Sequence, residues 1–224
     1  MNSYVKLLEK LNNGEIEKCK KMLLENIREE SAKKSGAKKP YSIIKTMFSK
    51  DNGSMSEKAF LNCDDRFYFS DGHRFFSATE SFGYKEIDKL ESYKFIDMFK
   101  GVDFSGTLNI DYAKIKESVA INKSLKSKWN IKPFIIYDPE NDIYCGFNPN
   151  FLKDLIDFTG MTKFVYQPNK SHTHNSKNKC LISPIFAIDE NNNCLGCVLP
   201  VNITNIEPEN MKNSDYIVYC ENIA

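Results

Sequence analysis

Residues 143–160, IYCGFNPNFLKDLIDFTG, indicate a strand that runs directly into a helix. Asn148 and Pro149 are residue types preferred at the N-cap and the first position of a helix, and Gly160 is typical of a helix end. The predicted buried face has apolar residues at helical spacing: Phe151, Leu152, Leu155 and Ile156. This strand and helix form the centre from which the rest of the fold is predicted.

Further strands flank this helix on both sides. Residues 133–137 and 143–146 are apolar stretches around the turn-forming segment 138–142, so they predict a β-hairpin. Other strands are predicted at residues 107–110, 163–167, 180–188 and 194–202. With a second helix at residues 112–128, the predicted order is strand, helix, two strands, helix, three strands. This order predicts an α/β fold of the α+β type.

A helical hairpin is predicted at the start of the chain. Residues 12–14 (NNG) form a turn signal between two stretches in which apolar residues repeat at helical spacing. These apolar residues are Tyr4, Leu8, Leu11, Ile16, Cys19, Leu23 and Ile27. Residues 33–40 (KKSGAKKP) then favour an exposed, mobile connection that leads into a short helix at 41–48.

A second β-hairpin is predicted further along. Residues 67–69 (FYF) and 75–78 (FFSA) have the composition of strands, and residues 71–72 (DG) between them are a strong signal for a tight turn. The aromatic residues of these strands are better candidates for core positions than for base stacking.

The charge of the chain limits how it could bind nucleic acid. Its 31 Lys and Arg residues nearly balance its 30 Asp and Glu residues, leaving a net charge of +1. Any contact with DNA must therefore come from local clustering. The predicted helix at 112–128 provides such a cluster, consisting of Lys114, Lys116, Lys123, Lys126 and Lys128. A solvated helix face is the alternative interpretation of these lysines.

The cysteine pattern and the hydropathy predict a cytoplasmic protein. Seven cysteines, an odd number without close and regular spacing, are not typical of a secreted disulfide framework. No stretch approaches the roughly 18 consecutive apolar residues of a membrane span, so no membrane partner is expected.

Three stretches resemble the bacterial DNA sliding clamp, the DNA polymerase III beta subunit. Residues 69–75 (FSDGHRF) and 146–155 (GFNPNFLKDL) resemble two of its signatures, and residues 197–202 (CVLPVN) resemble its C-terminal strand. The resemblance implies strand-helix-strands repeats with antiparallel sheets, in which the helices line a ring around double-stranded DNA and contact its backbone without sequence preference. Asn202 stands where the family has Arg, and the chain is much shorter than a three-domain clamp.

The resemblance also implies a hydrophobic cleft that receives short peptide motifs of DNA-processing proteins. One wall of this cleft would consist of Gly72, His73, Arg74 and Phe75. The other wall would consist of Leu199, Pro200 and Val201. We therefore expect three regions: a helical hairpin with a basic linker at 1–39, a partial clamp-like unit at 40–103, and a clamp-like C-terminal domain at 104–224.

Neither a metal site nor a catalytic site is predicted. His172, His174, Cys180, Cys194 and Cys197 are residue types that bind zinc. However, Cys194-x-x-Cys197 lies in a strand pattern, which favours small buried thiols. The common phosphate, dinucleotide, zinc-protease and hydrolase motifs are absent from the sequence. No cofactor is expected.

Two functions remain open. The first is a non-catalytic clamp-like accessory of DNA replication or repair, reduced in size as in a phage or plasmid protein, and a candidate for homo-oligomer formation. The alternative is a protein interaction module that keeps the clamp-like fold without forming a ring on DNA.

Overall fold

The computed structural model describes residues 3–49, 59–63, 66–84, 106–124, 132–138, 143–166, 184–201 and 217–219. The helices within these ranges are α1 (Ser3–Asn12), α2 (Ile16–Lys34), α3 (Lys38–Ser49), α4 (Tyr112–Ser124) and α5 (Pro149–Thr159). The strands are β1 (Ala59–Cys63), β2 (Arg66–Ser70), β3 (Arg74–Ala78), β4 (Gly106–Asn109), β5 (Phe134–Asp138), β6 (Ile143–Phe147), β7 (Lys163–Tyr166), β8 (Ile185–Ile188), β9 (Cys194–Val198) and β10 (Ile217–Tyr219). No helix in this part of the chain is both long and apolar enough to cross a membrane.

The strands form two sheets. The larger has the order β1-β2-β3-β9-β8-β7-β4, and each neighbouring pair is antiparallel. The smaller has the order β10-β5-β6, in which β5 and β6 are antiparallel but β10 runs parallel to β5, with Ile217 opposite Ile135. The predicted α+β class and the order from residue 107 to 202 are confirmed. The parallel pair is the exception to the expected antiparallel sheets.

The main hydrophobic core is shared by both sheets and by helices α2 to α5. Its largest fully buried side chains include Tyr41 of α3, Phe76 of β3 and Phe147 of β6. A smaller cluster contains Phe75, Phe186 and Cys197. Because successive side chains of a strand point to opposite faces, Phe75 and Phe76 support the larger sheet from different sides.

Helix α5 begins and ends as its sequence predicts. The side chain of Asn148 accepts a hydrogen bond from the backbone N–H of Asn150 at 3.0 Å. At the other end Gly160 is left-handed, with φ of 71°, and its N–H donates to Ile156 O at 2.8 Å. Three of the four predicted core residues are buried, whereas Phe151 is half-buried.

A glycine allows α5 to lie close to the larger sheet. A Cβ on Gly196 of β9 would lie 2.9 Å from Leu155 Cδ1 and 2.9 Å from the backbone oxygen of Phe75. A side chain there would clash with the backbone of β3 and would push aside the end of the Leu155 side chain. Gly196 therefore helps to fix α5 over β3 and β9.

The basic stretch between α2 and α3 differs from the prediction of a mobile connection. Helix α2 continues to Lys34, Gly36 turns the chain with φ of 79°, and α3 begins at Lys38. Pro40 is tolerated because the first N–H groups of a helix have no partner within it. Ala32 and Tyr41, on either side of the turn, are both buried in the main core. The predicted helical hairpin, α1 and α2, is confirmed.

Candidate peptide-binding site

The turn between β2 and β3 is held by its own side chains. Gly72 has φ of 81°, a conformation that favours glycine. The Asp71 carboxylate accepts hydrogen bonds from the backbone N–H groups of His73 at 3.1 Å and Arg74 at 2.9 Å. These contacts fix the backbone that presents His73 to solvent.

Arg74 connects this turn to helix α5. Its Nε and Nη2 donate to Asp71 Oδ2 at 3.0 and 2.7 Å, and its Nη1 pairs with the Asp154 carboxylate. Its guanidinium carbon lies 4.6 Å from the centre of the Phe151 ring. Arg74 is only 4% exposed, so it orients the site and has little surface left for a ligand.

The other residues of the predicted first wall differ in exposure. His73 is exposed, and its ring stacks on Phe151 with the ring centres 5.7 Å apart and the planes 21° from parallel. Phe75 is buried against Phe186 and Cys197 on the opposite face of the sheet from Arg74. Phe75 thus packs beneath the turn, on the far side of the sheet. Phe151, which the sequence predicted only as a core residue of the helix, lies beside His73 instead.

The predicted second wall bridges the two sheets. The N–H of Leu199 donates to the backbone oxygen of His73 at 2.9 Å, and the N–H of Val201 donates to Gly146 O of β6 at 2.8 Å. Pro200 lies between them and has no N–H. All three residues are half-buried. The two walls are therefore joined by a hydrogen bond and form one continuous surface.

We call this surface the turn surface and define it by its exposed or half-buried members. They are Gly72, His73, Phe151, Leu199, Pro200 and Val201. Two contributors were missed from the sequence, Phe151 as a ring partner and Asp154 as an ion-pair partner. Their spacing of three residues places them on one side of α5, but only the fold reveals that this side meets the turn.

The described candidate DNA-binding lysines lie on two different sides of helix α4. Lys114, Lys116 and Lys123 are exposed, whereas Lys126 and Lys128 lie outside the described residues. Lys116 and Lys123 are seven residues apart and share one side of the helix, while Lys114 lies roughly 160° around its axis. The buried side consists of Ile115, Ser118 and Val119.

One carboxylate ties three helices together beside these lysines. Asp157 of α5 accepts a hydrogen bond from the Tyr112 hydroxyl of α4 at 2.6 Å and pairs with Lys153. Lys39 Nζ of α3 lies 3.7 Å from the same carboxylate. Burial tends to raise the pKa of Asp157, but the hydrogen bonds from Lys153 and Tyr112 outweigh it, so the pKa is lowered.

The cysteines of β9 have the character of buried thiols. An irregularity in the pairing with β8, where Ile188 faces Cys194 and Ala187 faces Gly196, lets Cys194 and Cys197 pack against the same small cluster. Burial raises the pKa of Cys194 to about 12 and that of Cys197 well above its ordinary value. Such thiols stay protonated, whereas metal binding and nucleophilic attack need the thiolate.

Metal-binding groups are not found among the residues that the structure describes: none of them form a cluster of three or more His, Cys, Asp or Glu suited to an ion. His172, His174 and Cys180, the remaining candidates for a zinc site, lie outside those residues.

Comparison with solved structures finds similarity at low identity to DNA polymerase III beta subunits. The chain is similar to a candidate DNA polymerase III beta subunit from Eubacterium rectale, with 17% identity, a TM-score of 0.43, and coverage of 74% of this chain and 63% of that chain. It is also similar to the DnaN sliding clamp from Bartonella birtlesii bound to griselimycin, with 11% identity, a TM-score of 0.31, and coverage of 62% and 41%. The beta subunit from Thermotoga maritima gives 14% identity, a TM-score of 0.30, and coverage of 62% and 42%.

The chain thus spans less than two thirds of each of these proteins. No protein-family model and no curated protein sequence matches it.

Proposed function

We propose that this chain is a non-catalytic, clamp-like accessory protein of DNA replication or repair, acting in the cytoplasm and binding peptide motifs of DNA-processing partners at the turn surface. One observation carries the proposal: the three stretches that resemble clamp signatures, distant in sequence, contact one another. Residues 69–75 and 146–155 meet through Arg74 and Asp154, and residues 197–202 reach both through Leu199 and Val201.

The chemistry of the turn surface supports a peptide ligand. Half-buried apolar side chains at Phe151, Leu199 and Val201 suit one or two hydrophobic anchors of an extended peptide. The N–H groups of Leu199 and Val201 already donate to this chain's own backbone, and Pro200 has none. These N–H groups are therefore not available to a peptide, and we expect its side chains to supply most of the binding.

The DNA-binding part of the proposal rests on the lysines of α4. They would contact the backbone of double-stranded DNA without reading bases, since phosphate contacts need only positive charge. Lys116 and Lys123 would meet the same stretch of backbone because they share one side of the helix.

The test is a fluorescence polarisation titration with a labelled clamp-binding peptide. We expect Leu199→Asp to weaken binding at least tenfold, because a carboxylate would replace a side chain that contacts the anchor. Leu8→Asp is a matched control, since Leu8 is 58% exposed on α1 and outside the turn surface. Equal binding by wild type and Leu199→Asp, or no binding by the folded wild type, would rule out a peptide site at the turn surface.

A second candidate is an interaction module that never encircles DNA. It is favoured by the apolar side chains that α1 and α2 expose, such as Leu8 and Ile27. Retention on closed circular DNA, with release after the circle is cut, would support a ring. Equal retention on linear and circular DNA would favour the module.

A further inference from the structure

The outer face of α2 carries four exposed apolar side chains. Ile16 is 57% exposed, Leu23 42%, Leu24 54% and Ile27 63%. Large apolar side chains at this exposure are confined to α1 and α2 in the described part of the chain. Leu23, Leu24 and Ile27 lie within about one turn of each other, and an exposed apolar patch of this kind is typical of an interaction surface.

The spacing along this face is that of a coiled-coil seam. Steps of four and three residues alternate through Ile16, Lys20, Leu23, Ile27, Glu30 and Lys34. Other sides of the helix are occupied within the chain: Cys19 is buried and approaches Leu7 O of α1, and Ala32 lies in the main core. The seam is therefore directed away from the body of the protein and is open to a partner helix.

The charges of the seam favour a second copy as the partner. When two α2 helices run antiparallel and are centred on position 25, Leu23 of one copy faces Ile27 of the other. Lys20, whose Nζ lies 2.7 Å from Glu17 Oε1 within the same helix, then faces Glu30 of the other copy at both ends of this apolar centre, and the two could form ion pairs across the seam. In a parallel arrangement Lys20 would face Lys20 and Glu30 would face Glu30, which is repulsive. The outermost positions place Ile16 opposite Lys34, so the antiparallel direction avoids like charges facing each other, whereas the parallel direction does not.

We propose that the chain forms a two-fold homodimer through antiparallel packing of the outer faces of α2. Each copy uses the same residues, so the interface is closed and does not extend to further copies. The dimer would carry two copies of the turn surface and could bind a partner with two peptide motifs more tightly than either site alone. The dimer itself does not depend on the peptide-binding proposal.

The first test is the mass of the full chain in solution, measured by sedimentation at about 50 µM, where an interface of micromolar affinity is largely formed. We expect a dimer for the wild type and a monomer for Ile27→Glu. The far-UV circular dichroism of the variant should match the wild type, because Ile27 is exposed and contributes little to the core. A monomeric wild type, or an Ile27→Glu variant that stays dimeric, would overturn the proposal.

The second test reverses the charges. Lys20→Glu and Glu30→Lys should each weaken the dimer about tenfold, because each places like charges at both ends of the seam. The double variant should return to wild-type affinity, since the pairs re-form with opposite sign. Lys21→Glu, a change on the same helix outside the seam, should have no effect. A double variant as weak as the single variants would exclude the antiparallel arrangement.

Discussion

Arg74 illustrates how a residue of a binding signature can serve the fold. It is buried between carboxylates from a turn and from a helix, Asp71 and Asp154. Neither carboxylate is fully buried, since 13% and 24% of their side chains are exposed. Removing the cation would break the ion pairs with both carboxylates and would loosen the position of α5 relative to the turn.

We therefore predict that Arg74→Met lowers the free energy of unfolding by about 3 kcal/mol, at the lower end of the range for breaking a buried ion pair. Urea denaturation measures this change. Arg74→Lys should rescue little, since an ammonium group cannot reproduce the fork of the guanidinium. A loss below about 0.5 kcal/mol, as for an exposed pair, would contradict the role given to Arg74.

At the scale of elements, Asp157 joins α3, α4 and α5. Because its pKa is lowered in the folded state, it adds stability above its ordinary pKa of 3.8, and this contribution is lost as the pH falls through the folded value. Asp157→Asn should cost about 1 kcal/mol at pH 7. The difference between wild type and variant should shrink below pH 4, as measured by urea denaturation across pH. A difference that stays constant from pH 7 to 3 would show that the charge of Asp157 makes no contribution to stability.

The α4 lysines make a second prediction at this scale. Binding to duplex DNA should weaken with salt, with a slope of log affinity against log salt of roughly −2 if Lys116 and Lys123, which share one side of α4, contact phosphates. Changing Lys114, Lys116 and Lys123 to Glu should abolish binding in an anisotropy titration. The same reversal at Lys6, Lys18 and Lys21, exposed on α1 and α2, should reduce it far less. Equal effects of the two triple variants would mean that α4 has no special role.

The elements that were predicted correctly carry strong local signals. Helix α5 has a cap, a proline and a terminal glycine in sequence, and the β2–β3 turn has Asp71-Gly72. Strands β1 and β10 were missed because short strands are specified by pairing with distant segments, as β10 pairs with β5. The start of α3 was missed because lysine, glycine and proline suggested a linker, while burial of Tyr41 stabilises a helix there.

The sequence likewise predicted only part of the candidate site. Its segments were recognisable from their sequences, but the burial of Phe75 and the contact of His73 with Phe151 depend on which side of β3 meets α5. A one-residue shift in register would exchange those sides. Local sequence does not specify that register, because it is set by pairing across the whole sheet.

For the whole molecule, residues 199–201 have a special position. They leave the larger sheet at Leu199 and contact the smaller sheet at Val201, so the turn surface lies where the two sheets are connected. A ligand bound there would contact the connection between the two sheets and not a single helix or strand. The β2–β3 turn and residues 199–201 should therefore both become more protected when a ligand binds.

Hydrogen exchange of the full chain, with and without a saturating clamp-binding peptide, tests this most directly. We predict slower exchange in two separate segments, residues 69–75 and 195–201, with little change in α1 and α2. Exchange reports local opening, and a ligand that binds across both segments suppresses it in both. Protection confined to the helical hairpin or to α4, or no protection at saturation, would contradict a peptide site at the turn surface.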